Sequence, residues 1–439
     1  MTEHVPTVCV SNAIDTYRAF LAPADDVEEH LAGCFAQQDQ ALYWAPTAKL
    51  LVTYEPVRDL EWQAGFLGLG EVVNISPAKT AGSLFADVLA DPSAVEAIVR
   101  YAGPGRRVRL IPHTTTAELW QFADVLAREH GIRVDLPEST PDQALRDLLD
   151  TKTGLRDLAA GLGMATGPFR LPDGVHCTST EDVVAAVGRF LDSGTPCIVK
   201  ADRGEASTGL LVFKPGHDRA AISGEVLASP FYGTGPVVVE EFISGAVEFP
   251  SIEFVVPANG EPFVFSVTEM LFEGETHVRG DVTARELEQR WWCAPFAEGG
   301  LRLASAMRDR GYRGHFGIDA IARDGEVFMH DLNARRTGST HLHEFGVEVL
   351  GPNYLDTHVV GHFVCHGLPT DMPLDQLLGA LGDLVRSPKN ADTGIVPAEL
   401  CGLSTGRVSL VAFCRNLAEF HDMITTARAA LRDFTGEHK

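Results

Sequence analysis

Asp319, Asp331 and Asn333 are the residues of this chain whose types and spacing most readily do chemistry. Ile318, Ala320 and Ile321 read as one strand, Arg323-Asp-Gly-Glu326 as a turn, and Val327 to Leu332 as a second strand. A hairpin of this kind sets Asp319 opposite Asp331, and Asn333, two residues on, shares the face of Asp331. Two carboxylates and one amide oxygen then meet at one place. Such an all-oxygen set suits Mg2+, which keeps waters and binds substrate phosphates. Arg335 and Arg336 follow at once, as an anion site requires. Taken alone, Asp-x-Asn is also the pattern of a solvated hairpin end.

Upstream, Lys200 closes the apolar strand Pro196–Lys200 and opens a loop that runs through Ser207, Thr208 and Gly209. A Gly/Ser/Thr loop exposes backbone N–H groups that can fold over phosphate oxygens, and a lysine at the strand end adds a point charge. No Gly-Lys-Ser/Thr closes the loop, so it is not a Walker A loop, and by itself it fits an ordinary polar turn. The strand Pro236–Glu240 ends in Glu240 and Glu241, and Glu248 follows a glycine-containing turn. A carboxylate so placed can accept from ribose hydroxyls, or it can be a strand-end charge in water.

In this order, Lys152, the Lys200–Gly209 loop, the Glu241–Glu248 hinge, Asp319 and Asp331-x-Asn333-x-Arg335 resemble the ATP-grasp carboxylate–amine ligases. The resemblance spans residues 150–365, and the region before it resembles the family's pre-ATP-grasp domain. More narrowly, the Asn-Ala-Arg-Arg-Thr-Gly-Ser-Thr-His string and the C-terminal segment resemble the peptide ligases of pheganomycin-type biosynthesis.

The resemblance implies ATP and Mg2+ as cofactors. It implies Lys152 and Lys200 on the phosphates, with Ser207, Thr208 and Gly209 covering them. It places Glu241 near the adenine and Glu248 at the ribose, with Glu240 a further candidate for the nucleotide or a strand-end charge. It gives Asp319, Asp331 and Asn333 to Mg2+, and Arg335 to an acyl phosphate. Two departures stand out. The family usually has glutamate where Asp331 stands, and some relatives, the D-alanine ligases among them, have arginine where this chain has Gly317. The transition-state cation is then expected from Arg279 or Arg336. His341 and His343 are candidates for contact with the acceptor amine, or for capping a helix.

The implied reaction joins a carboxylate to an amine through an acyl phosphate, releasing ADP and phosphate. The expected partners are a small-molecule carboxylate and an amine or peptide acceptor, with a homodimer as a further expectation. The expected function is an amino-acid or peptide ligase of natural-product biosynthesis. A γ-glutamyl or other small carboxylate–amine ligase of primary metabolism is the alternative within the class. A nucleotide-binding scaffold without catalysis is the alternative outside it.

The elements that must position these residues follow from periodicity. Residues 1–145 alternate short strands (Thr7–Val10, Leu50–Thr53, Glu71–Ile75, Arg107–Ile111, Ile132–Val134) with helical stretches such as Thr116–His130. This pattern predicts an α/β domain with an open parallel sheet. No Gly-x-Gly-x-x-Gly follows the first strand, so a dinucleotide site is not expected there. Residues 146–365 predict the α+β subdomains of an ATP-grasp unit, including a helix over Leu301–Arg310. Residues 366–439 predict a small α+β cap.

The formal net charge of -24 in 439 residues disfavours binding to nucleic-acid backbones or anionic membranes. The eight cysteines are dispersed with no Cys-x-x-Cys pair, so neither a zinc site nor a disulfide framework is indicated. With no leader pattern and no run of membrane-spanning length, the expected location is the cytoplasm.

Overall fold

The computed structural model describes residues 5–21, 27–79, 82–204, 209–232, 235–245, 248–274 and 277–435. Ser207 and Thr208 lie outside the described residues. Among the described residues the strands form three sheets.

The first sheet is parallel, in the order β3-β2-β1-β4-β5, from β1 (Thr7–Val10), β2 (Lys49–Val52), β3 (Val72–Ile75), β4 (Arg107–Pro112) and β5 (Arg133–Asp135). Parallel strands need crossovers, and helices such as Pro92–Ala102 and Ala117–His130 supply them. Their apolar stripes bury Ile98, Leu119, Phe122 and Leu126 against Val8, Val10, Leu50 and Leu110.

After β6 (Phe169–Arg170), β7 (Gly174–Cys177), β8 (Cys197–Ala201), β9 (Leu210–Phe213) and β10 (Val237–Glu241) pair antiparallel in the order β7-β10-β8-β9. The helix Thr180–Asp192, capped by Ser179, covers one face through Val183, Ala186 and Val187.

The third sheet is large and mixed. It takes in β6, β11 (Pro250–Val256), β12 (Phe263–Glu273), β13 (His277–Thr283), β14 (Gly314–Arg323), β15 (Glu326–Asn333), β16 (Val359–Cys365), β17 (Gly394–Ala398) and β18 (Val408–Cys414). Its order is β17-β18-β16-β13-β12-β11-β14-β15-β6. The C-terminal segment holds a strand, β17, beyond the one expected over Arg407–Phe413, and β17 and β18 continue this sheet from β16.

The helix expected over Leu301–Arg310 starts earlier, at Cys293, and runs to Asp309. Gly299 and Gly300 sit inside it. A Cβ at Gly299 would stand 2.0 Å from Phe169 and one at Gly300 2.0 Å from Phe254. The helix lies so close to β6 and β11 that only glycine fits at the crossing. No helix among the described residues is long and apolar enough to cross a membrane.

Candidate active site

The hairpin β14–β15 forms as its residue pattern predicts, with Asp319 paired to Asp331 and Gly317 to Asn333. On the other side β11 pairs Ser251 with Asp319 and Glu253 with Gly317. Residues two apart share a face, so Ser251, Glu253, Asp319, Asp331 and Asn333 line one face of three adjacent strands. A register shift after Asp319 leaves His330 without a cross-strand partner. Bulges re-aim the chain, and here the His330 carbonyl accepts a hydrogen bond from Lys200 Nζ at 3.2 Å.

Lys152 opens the helix Lys152–Gly161, whose N-cap is Thr151. Its backbone N–H donates to the Asp202 carbonyl at 2.9 Å, and the Thr153 N–H donates to the Asp202 carboxylate at 2.9 Å. The residue after β8 thus holds the helix start. Lys152 Nζ lies 3.1 Å from Asp331 Oδ1 and 3.3 Å from Oδ2. Lys200 Nζ is 2.6 Å from Glu240 Oε1, whose other oxygen pairs with Arg156 at 2.7 Å. Glu240 is therefore a buried partner of two cations, not an exposed strand-end charge.

The two carboxyls of the hairpin differ electrically. Burial pushes the Asp319 carboxyl up to about 6, helped by the charge of Asp331. Burial pulls on Asp331 in the same way, but Lys152, with Lys200 behind it, outweighs this and holds it below the ordinary value. Asn333 Nδ2 donates to Asp319 Oδ2 at 3.1 Å. Two partly buried carboxylates and an amide whose oxygen can take the place of its nitrogen fit a hard cation such as Mg2+.

Glu253 was not evident in sequence. It is fully buried, and burial pushes it up to about 8 against the hydrogen bond from Thr337. It explains Gly317, since a Cβ there would stand 2.7 Å from Glu253 Oε1 and 3.0 Å from Thr337 Cγ2. The arginine that some relatives carry at this point has no room here. A charged residue inside the apolar run of β11 was the available signal, but only the strand register shows what it faces.

The remaining sequence candidates are spread more widely. Arg335 lies beside Lys152, Asp331 and Asn333, with Tyr17 and Phe20 of the first helix across the cleft. Its guanidinium stands 5.4 Å from the Tyr17 ring centre. Arg336, one residue on, is 2% exposed and bound on both sides, to Glu138 at 2.8 Å and Glu344 at 2.7 Å, with Trp44 against its plane. Against expectation, its charge is used up inside the protein. Arg279, on β13, pairs with Glu273 at 2.6 Å and His366 at 2.9 Å, neither of which belongs to the Lys152–Asp331 group.

Glu241 stands 3.9 Å from Arg323. Glu248 accepts hydrogen bonds from the indoles of Trp291 and Trp292, a pair that periodicity does not flag. Gly209 has φ +74, a left-handed conformation that glycine adopts freely. Its carbonyl accepts from the backbone of Ala201 and from Tyr232, closing the loop after β8. His343 bonds Tyr354 at 3.0 Å, and burial lowers it to about 4. His341 is buried beside Tyr43 and His362.

No family model matches the chain. Over 252 residues it is 27% identical to the formate-dependent phosphoribosylglycinamide formyltransferase of Photobacterium profundum, a stretch covering 54% of this chain and 59% of that relative. It superimposes on the ADP complex of an N5-carboxyaminoimidazole ribonucleotide synthetase with a TM-score of 0.56 at 11% identity, over 99% of this chain and all of that one. It superimposes on the biotin carboxylase–β,γ-ATP complex of Campylobacter jejuni with a TM-score of 0.58 at 12% identity, covering 98% and 91%. The fold is the ATP-grasp fold that these structures share. The narrower likeness to pheganomycin-type peptide ligases finds no counterpart in these proteins.

Proposed function

We propose that this protein is an ATP-dependent carboxylate–amine ligase that uses Mg2+ and forms an acyl phosphate. The observation that carries the reading is the alternation of charge around Asp331. Lys152 grips its carboxylate at 3.1 Å, Lys200 stands behind it, and Asp319 faces it across the hairpin. That arrangement serves terminal phosphates, where little covalent help is needed and positioning with charge neutralisation does the work.

In this reading Lys152 and Lys200 hold phosphate oxygens, Lys200 exchanging Glu240 for them. Asp319, Asp331 and Asn333 would hold Mg2+, which when bound would supply positive charge against the phosphates. Arg335, at the mouth of the cleft beside Tyr17, orients the carboxylate and steadies the acyl phosphate through its planar donors. The side chains of Tyr17 and Phe20 exclude water from that intermediate.

For the substrate, the formyltransferase relative and the synthetase and carboxylase neighbours favour a small carboxylate of primary metabolism over the peptide substrate expected from sequence. The test is incubation with Mg-ATP and hydroxylamine against formate, bicarbonate, single amino acids and dipeptides. The expected result is ADP release and a hydroxamate with a small carboxylate. Turnover with dipeptides alone would restore the peptide-ligase reading. AMP and pyrophosphate as products would overturn the acyl-phosphate mechanism.

A further inference from the structure

Three buried residues outside the nucleotide group turn ligating atoms toward one another. His341 comes from the helix Gly338–Phe345, His362 from β16 and Glu399 from the residue after β17. One ring nitrogen of each histidine and one Glu399 oxygen all lie within 4.8 Å of one another. The residues are 1%, 7% and 2% exposed. Among the described residues His341 Nδ1, His362 Nδ1 and Glu399 Oε2 have no hydrogen-bond partner. Buried polar atoms are nearly always satisfied, so one unmatched atom on each of three adjacent side chains marks a site that a bound group can complete.

The neighbours supply it only in part, through the Ser409 hydroxyl beside Glu399. Gln40 Nε2 donates to Glu399 Oε1 at 2.8 Å, and His341 Nε2 lies 4.0 Å from the same oxygen. Arg407 Nη2 is 3.6 Å from Glu399 Oε2, and Asp281 Oδ2 is 3.8 Å from His362 Nδ1, both beyond hydrogen-bond length. Charge points the same way. Asp39, Asp281 and Glu399 bring three buried carboxyl groups to this region, against the guanidinium of Arg407 on Glu399. A dication would balance them.

We propose that His341, His362 and Glu399 bind a divalent transition metal of the Zn2+ class. Two imidazoles and one carboxylate select such a metal over Mg2+, which prefers oxygen alone. The ligands come from three separate chain segments, and Gln40 of the first domain holds one of them. The metal would therefore pin the helix Gly338–Phe345 and the end of β17 to β16.

The test uses the full chain, stripped with chelator and exchanged into buffer with millimolar Mg2+ to satisfy oxygen-only sites. Co2+ is then titrated while visible absorption is followed, and bound metal is counted by atomic emission. One equivalent of Co2+ should bind with a strong d–d band, Zn2+ should displace it, and Zn2+ should raise the melting temperature. His362→Ala should lose the band and the equivalent, while Asp331→Asn keeps both. If His362→Ala does not fold, His341→Gln serves the same comparison. No stoichiometric Co2+ in the wild-type chain would overturn the site and leave a bridging water in its place. A band lost in Asp331→Asn and kept in the histidine variants would also overturn it.

Discussion

Adjacent arginines have opposite work in this structure. Arg335 faces the cleft, whereas Arg336 is a buried strut between Glu138 and Glu344. Removing one partner of a buried ion pair leaves uncompensated charge, which costs about 3–5 kcal/mol. Arg336→Ala should therefore lose stability on that scale in urea unfolding, while Arg335→Ala keeps the melting temperature and loses turnover. Equal destabilisation by the two would remove the distinction. Asp331→Asn takes away a charge at nearly constant volume beside Lys152. Ligase activity should fall by orders of magnitude at saturating Mg2+ with an unchanged circular dichroism spectrum, and near-normal turnover would falsify the metal assignment.

At the scale of elements, close packing and burial set the outcome. Alanine is a better helix former than glycine by about 1 kcal/mol, so Gly300→Ala would stabilise an exposed helix. Here the added Cβ meets Phe254 at 2.0 Å. Overpacking of this kind costs about 1–3 kcal/mol, enough to reverse the sign, and the variant should melt below wild type.

The first helix carries a second example. Asp15 accepts hydrogen bonds from Tyr54 and from the Leu84 backbone, at the start of the helix Leu84–Ala90. Burial nevertheless pushes its carboxyl up to about 6 from 3.8. The folded chain therefore binds this proton more tightly than the unfolded chain does. The stabilisation is complete below the unfolded value and is lost as pH rises through the folded one. Between those two values wild type should lose on the order of 2 kcal/mol relative to Asp15→Asn. Parallel pH profiles of denaturant midpoints would refute this.

Across the whole molecule, the C-terminal segment is part of the main body. β18 covers the edge of β16 with seven paired residues, and β17 covers β18. Val396, Val411 and Phe413 share a core with Cys9, Leu42 and Trp44 of the first domain. Gln40 reaches Glu399, and Ser387 reaches the Phe66 carbonyl. A chain ending at Cys365 would expose a long sheet edge and that core, and exposed edges template aggregation. It should be insoluble or rapidly proteolysed. A truncated chain that melts cooperatively near the wild-type temperature would mark residues 366–439 as an independent cap.

The sequence by itself determined the local pieces. Alternation and turn residues located the first-domain strands to within a residue or two. The Arg323–Glu326 turn settled that a hairpin forms, but a regular ladder from it sets Asp319 opposite His330, and the register shift that brings Asp331 there instead was not legible in the spacing. Tertiary structure decided what local pattern does not carry. Which strand lies beside β14 placed Glu253 against Gly317, and non-local pairing of this kind has no signature within a short stretch of sequence. The partners of Arg336 come from residues 138 and 344, so its type and position resemble those of Arg335 until the chain is folded. The glycine pair at 299 and 300 precedes the helix expected over Leu301–Arg310. Contact with Phe169 and Phe254 makes it the middle of a helix, because packing against the sheet outweighs the intrinsic cost of glycine.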